Sequence, residues 1–393
     1  MIRRALEPVL LEAADHMPVV AVTGPRQSGK TTLCRMAFPE REYVSLEPLD
    51  TRDYARSDPR GFLRQYPGNV ILDEVQRAPD LFSYLQETID EDPAPGRYIL
   101  TGSQHFGLSE AMSQSLAGRI GLLHLLPLSL DELRRFDGAP SELWPTLFGG
   151  GYPRIYDRGL APGRWLADYV ATYVQRDVRQ VLDVTDLDAF TTFLRLVAGR
   201  TGQELNLSAL GSDAGVTHNT ARSWLSVLDT SFITFRAPRW HRSFRKRMVK
   251  APKIHFVDAG LAAHLLGIRE PDQLRVHPLR GALFESWVAS EILKARLHRG
   301  LESDLYHLRE TRGLEIDLVL EAGATVFGIE VKSGATVASG FTDPLQALGR
   351  RLEEALPHMR YEGRLVYGGD RAQARGDVRI MPWFALPGAN WDS

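Results

Sequence analysis

The chain has 393 residues, 44% of them hydrophobic and 24% charged, with a formal net charge of −2. That length predicts two or three domains with ordinary packed cores, and the near-neutral balance means that any surface for a polyanion has to be local. The single cysteine, Cys34, excludes an intrachain disulfide, fits a reducing cytoplasm and reads as a small buried apolar residue.

Met1 to Glu12 carries Arg3 and Arg4 but no long apolar core ahead of a cleavage site. The apolar run Ile120 to Leu130 is broken by His124 and Pro127 and is too short to cross a bilayer. The expectation is a soluble cytoplasmic protein that does not contact a membrane.

Residues 1–161 read as a nucleotide domain. Pro18 to Thr23 predicts a short buried strand, and Thr31 to Ala37 the first turns of a helix. Between them Gly24, Pro25, Arg26, Gln27, Ser28, Gly29, Lys30 and Thr31 satisfy the eight-residue phosphate-loop pattern at every fixed position. Such a loop aims backbone N–H groups and a helix N-terminus at one point, which favours an anion. Lys30 is placed to reach the β- and γ-phosphates of ATP, and the Thr31 hydroxyl to ligate Mg²⁺.

Further strands are predicted at Glu42 to Leu46, Asn69 to Asp73 and Arg97 to Thr101, with helical patterns between them, so the sheet should be parallel. Val70-Ile71-Leu72 ends in Asp73-Glu74, and the carboxyl end of a parallel strand faces the ligand crevice. Asp73 is expected in the Mg²⁺ shell and Glu74 is expected to polarise the attacking water. Thr101-Gly102-Ser103-Gln104 either senses the γ-phosphate or forms a plain turn.

The loop with Thr32, the stretch Leu72-Asp73-Glu74-Val75-Gln76, Leu100 to Ser103 and Ser115 to Arg119 resemble the AAA+-like ATPases of bacteria and archaea that carry a C-terminal domain of unknown function. The resemblance extends over nearly the whole chain. It implies ATP and Mg²⁺ as cofactors, an additional strand between the two nucleotide motifs, for which Glu42 to Leu46 is the candidate, and a homo-oligomer through the ATPase domain. It also implies an arginine finger at Arg119, acting in the same chain or across a subunit interface.

Turn signals at Gly149 to Pro153 and Ala161 to Gly163 mark a boundary, and residues 162–269 read as a mainly helical second domain. Helical spacing runs over Trp165 to Val181 and Asp188 to Ala198. Leu207 to Leu225 has the rhythm of a helix-turn-helix, with Gly215 in the turn, Thr217 as N-cap and Ala221, Leu225 and Leu228 facing inward. His218, Asn219, Arg222 and Ser223 then share the exposed face, able to meet phosphates or base edges.

Arg236, Arg239, Arg242, Arg245, Lys246, Arg247, Lys250 and Lys253 follow without an acid, interleaved with Trp240 and Phe244. Flanking strand-forming residues make this run a wing, so the segment reads as a winged-helix DNA-binding domain. A solvated basic hairpin, or one docked on acidic surface of the ATPase domain, is the other reading. Asp258 reads as a helix N-cap.

Residues 270–393 predict a small α/β domain: a long helix, Arg280 to Leu297, then strands at Asp304 to Arg309, Leu314 to Glu321, Val326 to Val331 and Gly363 to Tyr367. Asp370 to Asp377 reads as a loop, and Trp383, Phe384 and Trp391 as a tail that packs down. Strand alternation puts Glu315 and Asp317 on one face of their strand and Glu330 and Lys332 on one face of the next. Two carboxylates there suit a divalent metal that activates water, with a lysine stabilising charge. With Glu285 on the preceding helix, these residues resemble the PD-(D/E)xK nuclease superfamily, a restriction-endonuclease-like fold. That resemblance implies Glu285, Asp317, Glu330 and Lys332 as catalytic groups, with Asp317 and Glu330 on metal and Glu315 a competitor for the place of Asp317. Polar residues alternating on the wet face of a sheet are the other account.

The expected fold class is therefore α/β: a P-loop sheet, a winged helix and a nuclease-like domain. The expected function is Mg²⁺-dependent ATP hydrolysis acting on DNA, as a motor or repair factor. The alternative is an ATP-dependent regulatory switch whose nuclease-like domain is inactive.

Overall fold

Five short strands build the first sheet: β1 (Val19–Thr23), β2 (Glu42–Ser45), β3 (Val70–Asp73), β4 (Tyr98–Gly102) and β5 (Ile120–His124). Their order is β2-β3-β4-β1-β5, with every pairing parallel. Strands β1, β3 and β4 are buried along their whole length, which is why they read as unbroken apolar runs and not as alternation. The run from Ile120 supplies β5, so its apolar character belongs to a sheet strand. Among the described residues no helix is long and apolar enough to cross a membrane.

The structure is a computed structural model that describes residues 1–102, 116–173, 186–241, 250–310 and 313–392. These form two compact units: residues 1–128 with two short later pieces, and most of the chain from 129 onward. In the first, the helices Glu7–His16 and Lys30–Ala37 cover the sheet around a core that includes Leu10, Val20, Val22, Leu33, Cys34, Ile71 and Ile99. Cys34 is fully buried, and that burial pushes its thiol pKa up. The architecture is the α/β fold of P-loop NTPases, followed by a helical region and a small sheet domain.

The second unit begins with helices that include Pro162–Tyr173, Leu187–Ala198, Leu207–Asp213 and His218–Thr230. The last two are joined by a turn in which Gly215 has φ +70°, and the Thr217 hydroxyl caps the second by accepting from Thr220 N at 3.1 Å. Ala221, Leu225 and Leu228 are fully buried as expected. The strands β6 (Gln203–Glu204), β7 (Thr234–Ala237) and β8 (Lys253–Phe256) follow as a small antiparallel sheet in the order β6-β8-β7. Asp258 is a helix N-cap as expected, and its other oxygen accepts from Gly151 N at 2.6 Å.

The helix Arg280–Leu297 leads into β9 (Leu305–Arg309), β10 (Glu315–Ala322), β11 (Thr325–Lys332), β12 (Arg360–Tyr367), β13 (Gln373–Arg375) and β14 (Val378–Pro382). These make a mixed sheet in the order β13-β14-β12-β11-β10-β9. The stretch 370–377, expected as a loop, contains the edge strand β13, whose three residues are too few to show a pattern in sequence. The tail does pack down: Trp391 is buried, and Arg364 lies between the rings of Phe327 and Trp391 at 4.2 and 4.4 Å. One hydrophobic core runs from Leu130 through Phe190, Leu225 and Phe284 to Trp391, so the helical region and the C-terminal sheet share it.

Candidate active site

The phosphate loop leaves β1 at Gly24, where φ is +151° and a Cβ would stand 2.1 Å from the carbonyl oxygen of Leu125, so only glycine fits. Gly29, with φ +94°, turns the loop into the helix Lys30–Ala37. The Lys30 ammonium folds back onto the carbonyls of Gly24 (3.0 Å) and Pro25 (2.8 Å). Burial lowers its pKa to about 8, against the pull of Glu74 and Asp73. The Ser28 hydroxyl is buried in the loop without a hydrogen-bond partner. Arg26 is half-buried, and Gln27 and Thr32 are exposed.

Asp73 ends β3 opposite Thr101 of β4 and Ser45 of β2. Its carboxylate accepts from the Thr31 hydroxyl at 3.1 Å, from the Tyr43 phenol at 2.6 Å and from the Thr101 hydroxyl. Burial and the bond to Asp73 push the Tyr43 pKa up to about 12. Glu74 follows with φ +60°, a left-handed conformation that costs a non-glycine residue about 1–3 kcal/mol. The Gln76 amide donates to its carboxylate. An ammonium, a hydroxyl and two acids thus converge, joined by an orphaned buried hydroxyl. This donor set fits a nucleoside triphosphate with Mg²⁺.

Thr101 is not a plain turn residue, since its hydroxyl is spent on Asp73; Ser103, Gln104 and Ser115 lie outside the described residues. At the end of β1, the Thr23 hydroxyl and His124 Nδ1 are hydrogen-bonded at 2.7 Å, and burial lowers the His124 pKa to about 4. Arg4 braces the loop from below, donating to Ser28 O (2.7 Å) and Leu126 O (2.8 Å). Sequence reasoning missed Tyr43 and Arg4. Placing β2 beside β3 would have found the tyrosine, but no local pattern announces the arginine.

Arg119 requires a correction. It precedes β5, and its carbonyl accepts from Val19 N at 3.3 Å, so it stands at the amino edge of the sheet. The phosphate loop follows the carboxyl end of β1, about 15 Å away at the usual strand rise. Asp90 holds the guanidinium at 2.5 and 3.1 Å. That placement keeps Arg119 away from the phosphate loop of its own chain, against a finger acting within one chain.

His218, Asn219, Arg222 and Ser223 are all exposed on the helix His218–Thr230. Of the basic run, Arg242, Arg245, Lys246 and Arg247 lie outside the described residues, while Lys250 is exposed. Arg236 is paired with Asp229 at 2.5 Å, and Lys253 is buried. Among the described residues of the run, Lys253 is therefore paired inside the fold and Arg236 at its surface.

In the C-terminal domain, β10 and β11 bring Asp317, Glu330 and Lys332 together. The Lys332 ammonium lies 2.6 Å from Glu330 Oε2 and 3.2 Å from Asp317 Oδ2, and Asp317 Oδ2 also accepts from Val331 N at 2.9 Å. Glu315 is not a competitor: it is exposed and faces Arg309 at 3.8 Å. Glu285 joins the cluster through a residue that was read as part of the wing, since Lys253 Nζ stands 2.8 Å from Glu285 Oε1 and 3.9 Å from Asp317 Oδ1. Burial and the Asp317 charge raise the pKa of Glu285 to about 8 and that of Glu330 to about 7. Burial alone would lower Lys332 and Lys253, but the carboxylates reverse this and raise both.

Residues 16–134 match an AAA domain, residues 141–272 a domain of unknown function (DUF8612) and residues 280–386 another (DUF4143). Among solved structures, the Walker-type ATPase PABY2304 of Pyrococcus abyssi is similar over 66% of this chain and 94% of its own, at 16% identity and TM-score 0.42. AMPPCP-bound DnaA from Aquifex aeolicus is similar over 56% and 86%, at 17% identity and TM-score 0.30. The uncharacterized proteins Rv2008c of Mycobacterium tuberculosis and Mb2031c of Mycobacterium bovis are each 32% identical over 338 residues, covering 85% of this chain and 74% of theirs. On that identity and coverage the chain belongs to the family of these mycobacterial proteins, and its N-terminal domain is an AAA+-like P-loop ATPase domain.

Proposed function

We propose that the protein hydrolyses ATP with Mg²⁺ and couples the hydrolysis to DNA. The observation that carries the first part is the Thr31–Asp73 hydrogen bond beside the Lys30 ammonium. Thr31 and Asp73 are the groups to hold Mg²⁺, which supplies charge neutralisation on the phosphates. Lys30 and the loop N–H groups, from Gly24 to Thr32, bind and orient the triphosphate, and Glu74 accepts a proton from the attacking water. Arg119 acts, in this reading, on the nucleotide of a neighbouring copy in a homo-oligomer.

The DNA part rests on the helix-turn-helix followed by a strand pair, read as a winged helix. His218, Asn219, Arg222 and Lys250 present donors on exposed positions, and the sequence adds the charges of Arg242, Arg245, Lys246 and Arg247. Phosphate release measured with and without single-stranded, duplex and forked DNA tests it. Stimulation that Arg245→Ala with Lys246→Ala removes supports the coupling, and no DNA binding at low salt rejects it.

For the C-terminal domain a second reading is favoured by one observation. Glu285, Asp317, Glu330 and Lys332 form the constellation of a metal-dependent nuclease, but Lys253 sits among the acids. We therefore read this domain as a nuclease-like fold that does not cleave, within an ATP-driven protein.

A further inference from the structure

Lys253 comes from β8, in register with Ala237 of β7 and Glu204 of β6, so its backbone is fixed on both sides. Its side chain is 5% exposed, and its ammonium meets Glu285 Oε1 at 2.8 Å, the backbone oxygen of Asp317 at 3.4 Å and Asp317 Oδ1 at 3.9 Å. Lys332 takes the other side of the same carboxylate, at Oδ2, together with Glu330. Every acid of the cluster thus has an ammonium partner, and Asp317 is shared between two.

We propose that Lys253 is the resident cation of this cluster, seated in the space that a divalent ion would need in order to bridge Glu285 and Asp317. This rests on the reading of the C-terminal domain as a nuclease-like fold that does not cleave, and supplies its cause. With both lysines in place a divalent ion would enter beside two ammoniums that already pair with its carboxylates. A divalent ion also binds carboxylate oxygens at about 2.0–2.6 Å, inside the shell that the Lys253 ammonium already occupies. A buried ammonium is expensive to strand and stable when paired, so Lys253 also ties the small sheet to the helix Arg280–Leu297 and β10.

The test counts bound Mn²⁺ on the full chain without nucleotide, by electron paramagnetic resonance, in the parent and in Lys253→Met. The expected result is one additional tightly bound Mn²⁺ per chain in Lys253→Met, lost again when Asp317→Asn is added. A folded Lys253→Met that gains no Mn²⁺ overturns the proposal. So does a parent that already holds an Mn²⁺ removed by Asp317→Asn, a comparison that decides the matter even where Lys253→Met does not fold. Cleavage of DNA is assayed on the same parent samples. Mn²⁺ held at Asp317 without cleavage overturns only the role of Lys253, whereas Mn²⁺-dependent cleavage that Asp317→Asn abolishes overturns the non-cleaving reading as well.

Discussion

Thr31 and Asp73, separated by 42 positions in the chain, are joined by a hydrogen bond of 3.1 Å from the hydroxyl to the carboxylate. One residue opens the helix after the phosphate loop and the other ends β3, so the contact exists only because the parallel sheet sets both carboxyl ends on one edge. Thr31→Ala removes the hydroxyl while leaving the loop backbone intact. ATP turnover at saturating ATP should fall about a hundredfold, with the Mg²⁺ requirement shifted upward. Titration of turnover against Mg²⁺ checks this, and an unchanged curve counts against a metal role for Thr31.

Tyr43 donates to Oδ2 of the same carboxylate at 2.6 Å, which orients Asp73 from β2. Groups that hold a metal ligand in place typically contribute 10–100-fold in metal affinity or activity. Tyr43→Phe should therefore raise half-saturating Mg²⁺ about tenfold with ATP affinity little changed. Equal Mg²⁺ dependence in parent and variant would reduce Tyr43 to a packing residue.

His124 gives a pH dependence with a defined sign. Burial holds its folded pKa at about 4, below the ordinary value near 6.5. Between these values the unfolded chain binds a proton that the folded one does not, so stability from this group is complete above pH ~6.5. It is lost as pH falls through about 4, at about 1.4 kcal/mol per pH unit. His124→Gln keeps a partner for Thr23 and removes the titration. Urea unfolding at pH 7 and pH 5 should show a smaller acid loss in the variant, and identical losses would contradict the assignment.

Arg222 and Asn219 are exposed on the second helix of the helix-turn-helix. Arg222→Ala with Asn219→Ala should weaken DNA binding several-fold and lower the salt slope of binding by about one if Arg222 meets a phosphate. Fluorescence anisotropy at several salt concentrations measures both. Unaltered affinity and slope would mean that this face does not meet DNA.

What the sequence made legible is what is encoded locally. The phosphate loop, the run into Asp73-Glu74 and the turn at Gly215 each depend on residues adjacent in the chain, and the structure has them where their spacing puts them. The strand alternation around Asp317 and Glu330 was legible for the same reason, since Ile316 and Leu318 are buried and Glu315 is exposed. Residues placed by strand order were not. Tyr43 reaches Asp73 because β2 lies beside β3, and Arg119 lies at the amino edge because β5 pairs with β1; neither neighbour relation is written in a local pattern. Lys253 was read with the basic run it closes, because a lysine among arginines carries no mark of being turned inward. Only the pairing of β8 with β6 and β7, and the shared core behind it, brings its ammonium to Glu285.

The central claim is that Lys30, Asp73 and Glu74 make an ATP-hydrolysing site, and phosphate release from Mg²⁺–ATP by the full chain, set against Glu74→Gln and Lys30→Ala, tests it most directly. The account predicts turnover in the parent, a fall of about 10²–10⁴-fold in Glu74→Gln with ATP binding retained, and loss of ATP binding in Lys30→Ala. A parent that neither binds nor hydrolyses ATP, or either variant turning over at the parental rate, would contradict it.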